Sequence, residues 1–270
     1  MRSSSIERIN SQHSSNYMAM NKLFLNSDKT HLLIMTSESN HKKHSNYGIR
    51  LNTGSEVITP SDDERLLGVQ VSNNFTWNSH ISKTEKSMCK LLTSRINALA
   101  KVSWSAGFQT RKIIANAIVM SRLVYVIQLY SNASDYLMKS LQVLQNKAAR
   151  IVTRSEWKTS TAVILRQIGW LSVNQLVVYH SLMLVFKICR NKKPGYLTEK
   201  FKTNFSYRTR QATGNCLVVQ GTPDSETSKE AFVHKSTMLW NNLPASLRKI
   251  EVFLKFKYEL KNWVTRNIVI

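Results

Sequence analysis

The spacing of apolar residues along the chain changes near Trp77. Before it, the apolar runs at Leu32–Met35 and Arg65–Val71 are long enough for strands, and 47–51 and 56–59 are shorter candidates. After it, apolar residues recur at three- and four-residue steps, which is the period of one face of an α-helix. The pattern predicts an α+β chain that is mostly α, in which a small antiparallel β part precedes the helices.

Several predicted helices have one clear apolar face. The residues of these faces are Ile81, Met88, Leu92, Ile96 and Leu99; Ile113, Ile114, Ala117, Leu123 and Val124; and Leu176, Tyr179, Leu182, Met183 and Phe186. Further helices are predicted over 159–168, 228–242 and 252–265, and Leu243-Pro244 separates the last two. Residues 203–227 are polar and weakly patterned, so a connector is predicted there.

The segment Leu137–Val152 predicts a helix with two different stripes. The apolar stripe consists of Leu137, Leu141, Leu144, Ala148, Ile151 and Val152, and Ser134-Asp135 precedes it as a candidate N-cap. Lys147, Arg150 and Arg154 follow one another at i, i+3 and i+7, so they predict a basic stripe beside the apolar one. This stripe is open to two interpretations, a solvated helix face or a surface that contacts phosphates.

The charge balance favours the second interpretation. The chain has 38 Lys and Arg against 16 Asp and Glu, a net charge of +22. Such an excess favours a polyanionic partner, because neutralised phosphates release counterions. A membrane is the other polyanion, but no stretch approaches about 18 consecutive apolar residues and no secretory signal follows Met1. An intracellular protein of the nucleus or cytoplasm, without membrane contact, is therefore expected.

Cysteine and histidine do not predict a metal site or a disulfide framework. Cys89, Cys189 and Cys216 are few and far apart, which is typical of a reducing compartment. His41 and His44 lie close together but lack further ligands, so a basic loop is predicted there.

Seven short segments resemble one family in the same order along the chain. They are Asn21–Thr30 (NxLxLNxxKT), Arg65–Val71 (YLGxxID), Trp77–Ile81 (WxxHI), Leu141–Val152 (LQxLQNKAxRII), Pro194–Leu197 (PxYL), Thr209–Ala212 (TR) and Trp240–Pro244 (WNxLP). These patterns are similar to those downstream of the polymerase core in non-LTR, jockey-like retrotransposon reverse transcriptases.

The resemblance implies a division into three parts. Residues 1–75 would hold the end of a polymerase palm, with segments like motifs D and E and a primer-grip hairpin. Residues 76–157 would form a helical thumb, and 158–270 a helical C-terminal extension. Such a chain would bind an RNA or RNA–DNA template–primer duplex through backbone contacts, and a palm and fingers polypeptide encoded upstream would be a partner. The implied contacts are Leu67, Gly68, Lys147, Arg150, Arg154, Trp157 and Lys158.

The resemblance also bears on catalysis. The family holds Mg²⁺ with aspartates that lie upstream of the NxLxLNxxKT segment, whereas the 20 residues before Asn21 contain no aspartate. Asp62-Asp63 follows Thr59-Pro60-Ser61, so a solvated turn pair is predicted rather than a metal site. Lys29 matches the motif D lysine near the incoming nucleotide. The chain alone is therefore expected to bind no cofactor and to be catalytically incompetent.

Two further expectations remain open at the level of sequence. Most of the tryptophans border apolar helical runs, which predicts packing, but Trp157 has Arg154, Lys158 and Arg166 around it and is a candidate for stacking on bases. The alternative to a polymerase fragment is a host-recruited or inert helical scaffold derived from a retroelement.

Overall fold

The computed structural model divides the chain into two compact units, Met1–Ser87 and Met88–Ile270. The residues that it describes are 16–18, 20–23, 26, 29–35, 51–52, 57–74, 76–83, 87–201, 215–218 and 232–268. Most of the predicted connector 203–227 and the segment Thr209–Ala212 lie outside these ranges. The predicted class, α+β and mostly α, is confirmed. The predicted boundaries at 75/76 and 157/158 stay predictions.

In the described part of the first unit, short strands form two-stranded pairs. β1 (Leu32–Leu33) pairs in parallel with β4 (Pro60–Ser61). β2 (Leu51–Asn52) pairs antiparallel with β3 (Val57–Ile58). The antiparallel part that the sequence predicts is therefore present, with a parallel pair in addition.

Arg65–Val71, which the sequence predicts as one strand, is a hairpin. β5 (Asp63–Leu66) pairs antiparallel with β6 (Val69–Ser72). Leu67 and Gly68 form the turn, with φ values of 49° and 84°. Positive φ at both central residues is what a type I′ turn requires, and glycine adopts it without strain. The one-strand prediction was wrong because alternation of apolar residues does not reveal a two-residue turn with leucine in its first position.

A π-helical turn, Ser79–Lys83, follows the hairpin. His80 is buried there, and its Nδ1 accepts a hydrogen bond from the backbone N–H of Gln70 at 3.1 Å. The ring of Trp77 meets the ring of His80 edge-on, with centroids 6.5 Å apart. The histidine of the WxxHI pattern therefore fastens this turn to β6, and the tryptophan packs against the histidine.

Helices make up the second unit. They are α1 (Met88–Val102), α2 (Phe108–Ala115), α3 (Ser121–Val124), α4 (Asp135–Thr153), α5 (Thr161–Ile168), α6 (Val173–Asn191), α7 (Gly195–Thr198), α8 (Phe232–Asn241), α9 (Ala245–Arg248) and α10 (Phe253–Asn267). The helices predicted over 159–168, 228–242 and 252–265 correspond to α5, α8 and α10. Their existence is confirmed, and the ends differ by a few residues, as helix ends commonly do.

α4 packs against α1, α2, α5 and α6. Leu137, Leu141, Leu144, Ala148 and Val152 of the predicted stripe are buried, which confirms these positions. Ile151 of the stripe is only half-buried, and Ala149, which was not predicted, is buried. Full burial of each leucine contributes about 1.5–3 kcal/mol, so this one helix face accounts for much of the local stability. Ser134 is the N-cap residue as predicted, but its side chain makes no capping hydrogen bond.

The helix before α4 differs from its prediction. The sequence places Ile113 on the apolar face, whereas the structure exposes this side chain. α2 continues through a π-helical turn, Asn116–Met120, into α3. A π turn spaces its hydrogen bonds five residues apart, so it rotates the buried face relative to a regular 3.6-residue repeat. The regular period therefore predicted the helix correctly and its buried face wrongly.

α6 is the main apolar helix of the C-terminal half. It begins with a capping box in which Ser172 and Gln175 satisfy each other's backbone N–H groups.

No single helix in the described ranges is long and apolar enough to cross a membrane. α5 and α6 reach that length and composition only together, across a bend of 42°.

Candidate nucleic-acid interface

The glutamines of the LQxLQNKAxRII segment have a structural role. Gln145 is buried, and its Nε2 donates to the carbonyl oxygen of Leu171 at 2.8 Å. Gln142 accepts from the backbone N–H of Val173 at 2.8 Å and donates to Gln145 at 2.8 Å. These bonds tie α4 to the start of α6. The amides therefore fix the position of α4 and do not themselves offer a binding surface.

Arg150 joins the end of α4 to the loop that follows it. Its Nη1 donates to the carbonyl oxygen of Glu156 at 2.8 Å, and its Nη2 donates to that of Thr159 at 3.0 Å. Its Cζ also lies 5.5 Å from the centroid of the Trp157 ring. A guanidinium at this distance from an indole makes a cation–π contact, so Arg150 holds both the loop and the tryptophan in place.

Arg154 does not continue the helical stripe that the sequence predicts. α4 ends at Thr153, and Arg154 is its C-cap in the left-handed conformation, with φ 55°. From there its Nη2 donates to the carbonyl oxygens of Ser103 and Trp104, each at 2.9 Å. The prediction of an i, i+3, i+7 stripe was wrong at this residue because the backbone turns before it.

A second arginine, which sequence reasoning missed, holds the same loop after α1. Arg111 is buried, and it donates from Nε to the carbonyl oxygen of Val152 at 2.8 Å and from Nη1 to that of Ala106 at 2.6 Å. Burial and then the neighbouring positive charge of Arg154 lower the pKa of Arg111. Arg111 and Arg154 are therefore neighbouring cations at the end of α4.

Two tryptophans project from the segments that these arginines hold. Trp157 is 83% exposed, and Trp104 is 87% exposed. Trp157 was a sequence candidate, whereas the sequence predicted packing for tryptophans such as Trp104. Because Trp104 lies in a loop, the spacing of apolar residues gives no indication that its side chain is exposed. We call the residues Trp104, Arg150, Arg154, Trp157 and Lys158 the tryptophan–arginine surface.

Two lysines add charge to this part of the unit. Lys158 is exposed beside Trp157, and Lys147 is exposed on α4, one turn before Arg150. Of the candidates in the helical unit, the structure therefore brings Arg150, Arg154, Trp157 and Lys158 into one region. Indole rings and cations arranged in this way can stack on bases and neutralise phosphates.

The remaining candidates belong to the first unit. Leu67 and Gly68 form the hairpin turn, and Leu67 is 83% exposed. Lys29 is exposed, and its backbone N–H donates to Asn26.

Among the described residues, Asp62 and Asp63 do not form a site that fits Mg²⁺. Asp62 is exposed and accepts a hydrogen bond from Asn73 at 2.8 Å. Asp63 lies in β5 rather than in the predicted turn, and its Oδ2 accepts from Ser79 at 2.9 Å. Within the described ranges, no group of three or more His, Cys, Asp or Glu residues is arranged to hold a metal ion. No catalytic step therefore follows from this pair.

The chain is similar to one curated protein over about half of its length. It is 24% identical over 134 residues to the probable RNA-directed DNA polymerase from transposon X-element of Drosophila melanogaster. The match covers 47% of this chain and 14% of the length of that polymerase. No protein-family model matches the chain. No solved structure matches it either. The comparison thus supports a distant relationship to retrotransposon RNA-directed DNA polymerases.

Proposed function

We propose that this chain is the C-terminal part of a retroelement reverse transcriptase and that its helical unit binds template–primer nucleic acid. The distant similarity to a transposon polymerase and the net charge of +22 support the proposal. The end of a palm, a thumb and a C-terminal extension are the parts that the ordered sequence patterns imply. The polymerase palm and fingers that these parts require would be supplied by a separate segment.

The observation that carries the proposal is the tryptophan–arginine surface. Large indole rings are usually buried, because they bring a large apolar area out of water. Here two of them are exposed, and the arginines that position them are cationic groups with five N–H donors each. Arg154 uses one terminal nitrogen for the carbonyl oxygens of Ser103 and Trp104, which leaves other donors available for a phosphate.

This surface favours contact with the nucleic-acid backbone over sequence recognition. Phosphate contacts fix register and orientation but carry no base information. Stacking on an indole is also tolerant of sequence, since every base has a π face. A part of a polymerase that follows the duplex as it is synthesised needs this kind of contact, because the sequence that it holds changes at each step.

The test of this proposal uses two exposed lysines that make no structural bond to a carbonyl in the described ranges. Lys147→Gln combined with Lys158→Gln removes two charges at or beside the surface. The matched control is Lys255→Gln with Lys257→Gln, which removes two exposed charges from α10. Lys261 is left unchanged, because its Nζ donates to the carbonyl oxygen of Gly169 at 2.9 Å.

Binding to an RNA–DNA duplex is measured at several salt concentrations. Each lost phosphate contact reduces the slope of log K against log salt by about 0.9, so the surface variant should show a slope flatter by almost two. The control should keep the slope of the unchanged chain. Equal slopes for the two double variants would show that the effect is one of bulk charge and would contradict a specific surface.

A further inference from the structure

A cavity of about 290 Å³ lies between α6, α8, α9 and residues 215–217, away from the tryptophan–arginine surface in sequence. Its walls are formed in part by Cys189, Arg190, Lys192, Trp240 and Arg248. Three of the seven lining residues are cations. This excess of positive charge indicates what kind of group can occupy the cavity.

The walls are held by hydrogen bonds of their own. The indole N–H of Trp240 donates to the carbonyl oxygen of Asn215 at 2.9 Å. Asn241 accepts from the backbone N–H of Leu217 at 2.8 Å and donates to the carbonyl oxygen of Leu217 at 2.9 Å. Residues 215–217 are thus fixed against α8, so the cavity is formed before any ligand enters.

Arg248 is the central feature of the cavity. It is only 9% exposed, and its buried Nε has no hydrogen-bond partner among the described residues. Its Nη1 contacts Sγ of Cys216. Among the residues that the structure describes, no carboxylate forms an ion pair with it. A guanidinium remains a cation in a protein, and burial of a charge without a counter-charge is costly. Within the part of the chain that the structure describes, this guanidinium therefore lacks an anionic partner.

Two other cations line the cavity. Lys192 is exposed at the left-handed C-cap of α6, with φ 54°. Arg190 donates to the carbonyl oxygen of Ile250 at 2.8 Å, and the carboxylate of Glu251 lies 3.7 Å from its other terminal nitrogen. The Glu251 side chain is 82% exposed, so solvent screens its charge and weakens its effect on Arg190.

The pKa of the Cys189 thiol depends on these cations. Burial raises the pKa of its thiol, while the charges of Lys192 and then Arg190 lower it. The thiol therefore lies within the field of both cations. Anything that neutralises them will change its reactivity, since the thiolate is the reacting form.

We propose that this cavity binds a phosphate group. The planar fork of a guanidinium matches the oxygen atoms of a phosphate, and a lysine ammonium adds a point charge. The cavity is several times larger than a single water site, so it has room for the group that carries the phosphate. The phosphate can belong to a free nucleotide or to the backbone of a nucleic acid, and the two sources offer the same chemistry. This site does not depend on the function proposed for the tryptophan–arginine surface.

The test measures alkylation of single cysteines by iodoacetamide with mass spectrometry. Cys189 lines the cavity, whereas Cys89 lines a different groove along α1 and serves as an internal control. Millimolar inorganic phosphate, compared with chloride at equal ionic strength, should slow alkylation of Cys189 severalfold and leave Cys89 unchanged. A mononucleotide and a single-stranded oligonucleotide are the other probes. Stronger protection by the oligonucleotide identifies backbone phosphate as the source, and stronger protection by the mononucleotide identifies a free one.

Variants complete the test. Arg248→Gln should abolish the protection, and if it fails to fold, Lys192→Gln at the exposed rim should still weaken it severalfold. Lys187→Gln, an exposed cation of the same helix that does not line the cavity, should leave it unchanged. Equal alkylation of Cys189 in phosphate and chloride, with no protection by either nucleotide probe, would overturn the proposal. Equal slowing of Cys89 and Cys189 would do the same.

Discussion

The guanidinium of Arg150 lies over the ring of Trp157, with 5.5 Å between its Cζ and the ring centroid. The same group donates to two carbonyl oxygens of the loop that carries this tryptophan. A residue that the sequence suggests as a phosphate contact is therefore also a support for the aromatic ring beside it. Because of this double role, replacement of Arg150 changes stability and binding together, so other variants are needed to measure the two effects separately.

Replacement of Arg150 should lower stability. Arg150→Gln removes two charge-assisted hydrogen bonds from a partly buried position, so the free energy of unfolding should fall by about 1–3 kcal/mol. Arg150→Lys should lose a similar amount, because lysine lacks the planar fork. Urea denaturation provides the measurement. Lys147→Gln, on the exposed side of the same helix, should stay within about 0.5 kcal/mol of the unchanged chain; a larger loss there would mean that the helix itself is being weakened.

Removal of the exposed indoles should affect binding with little effect on folding. Trp157→Ala or Trp104→Ala should each cost about 1–3 kcal/mol in affinity for RNA with a single-stranded extension, because one stacked base is lost. Trp157→Phe should restore much of the loss. A fluorescence anisotropy titration measures these affinities. Tyr196→Ala, at another exposed aromatic residue, is the control. Unchanged affinity in both tryptophan variants would contradict the prediction that these rings stack on bases.

The amide network of α4 should be necessary for stability. Gln145→Ala leaves the buried carbonyl oxygen of Leu171 without its donor, so the free energy of unfolding should fall by about 1–3 kcal/mol. Asn146→Ala is the neighbouring control, because its side chain accepts a hydrogen bond only from the Gln142 side chain among the described residues. The comparison uses chemical denaturation of both variants, and equal losses would indicate a general effect of shortening side chains on this helix.

Stability should depend on pH through His180. Burial, and then the charges of Lys187 and Lys257, lower the pKa of His180 below its ordinary value of 6.5. The unfolded chain therefore binds a proton more readily than the folded one, so this contribution is present above about pH 6.5 and is lost as pH falls through the folded pKa. His180→Gln should flatten the decline in unfolding free energy between about pH 7 and pH 5. An unchanged slope would show that other groups cause the decline.

Purified chain should extend no primer with Mg²⁺ or Mn²⁺. The described residues contain no acidic cluster suited to two-metal chemistry, and the carboxylates of Asp62 and Asp63 accept hydrogen bonds from Asn73 and Ser79. Template-dependent incorporation is measured with labelled nucleotide before and after repurification. Activity that persists, and that Asp62→Asn or Asp63→Asn abolishes, would show that this pair holds the metal ions after all.

The helices and much of their packing could be predicted from the sequence because they depend on local spacing. The apolar residues of α4 repeat with the regular helical period, and Leu141 and Leu144 are buried as that period requires. Ile113 could not be placed correctly, because the π turn at Asn116–Met120 changes the period through a backbone event that composition does not signal. The hairpin turn at Leu67-Gly68 was missed for a similar reason, since leucine is rare at positive φ.

Most residues of the candidate site were predictable from the sequence, but their geometry was not. Arg150, Arg154 and Trp157 were all identified from charge and sequence position. The roles of the two arginines as loop anchors depend on carbonyl oxygens of Ser103 and Thr159, whose positions the fold alone determines. Trp104 was missed because its place on this surface depends on a contact between distant residues. Arg154, which lies 50 residues further along the chain, donates to its carbonyl oxygen.

The turn at the tip of the β5–β6 hairpin has an evolutionary consequence. Leu67 occupies a left-handed conformation that costs an L-residue with a β-carbon about 1–2 kcal/mol, and its side chain is exposed to solvent. Asparagine or glycine would relax the backbone there at almost no loss of packing. Selection for folding alone would favour either of them. Position 67 is therefore one where a single substitution of leucine would give a more stable hairpin.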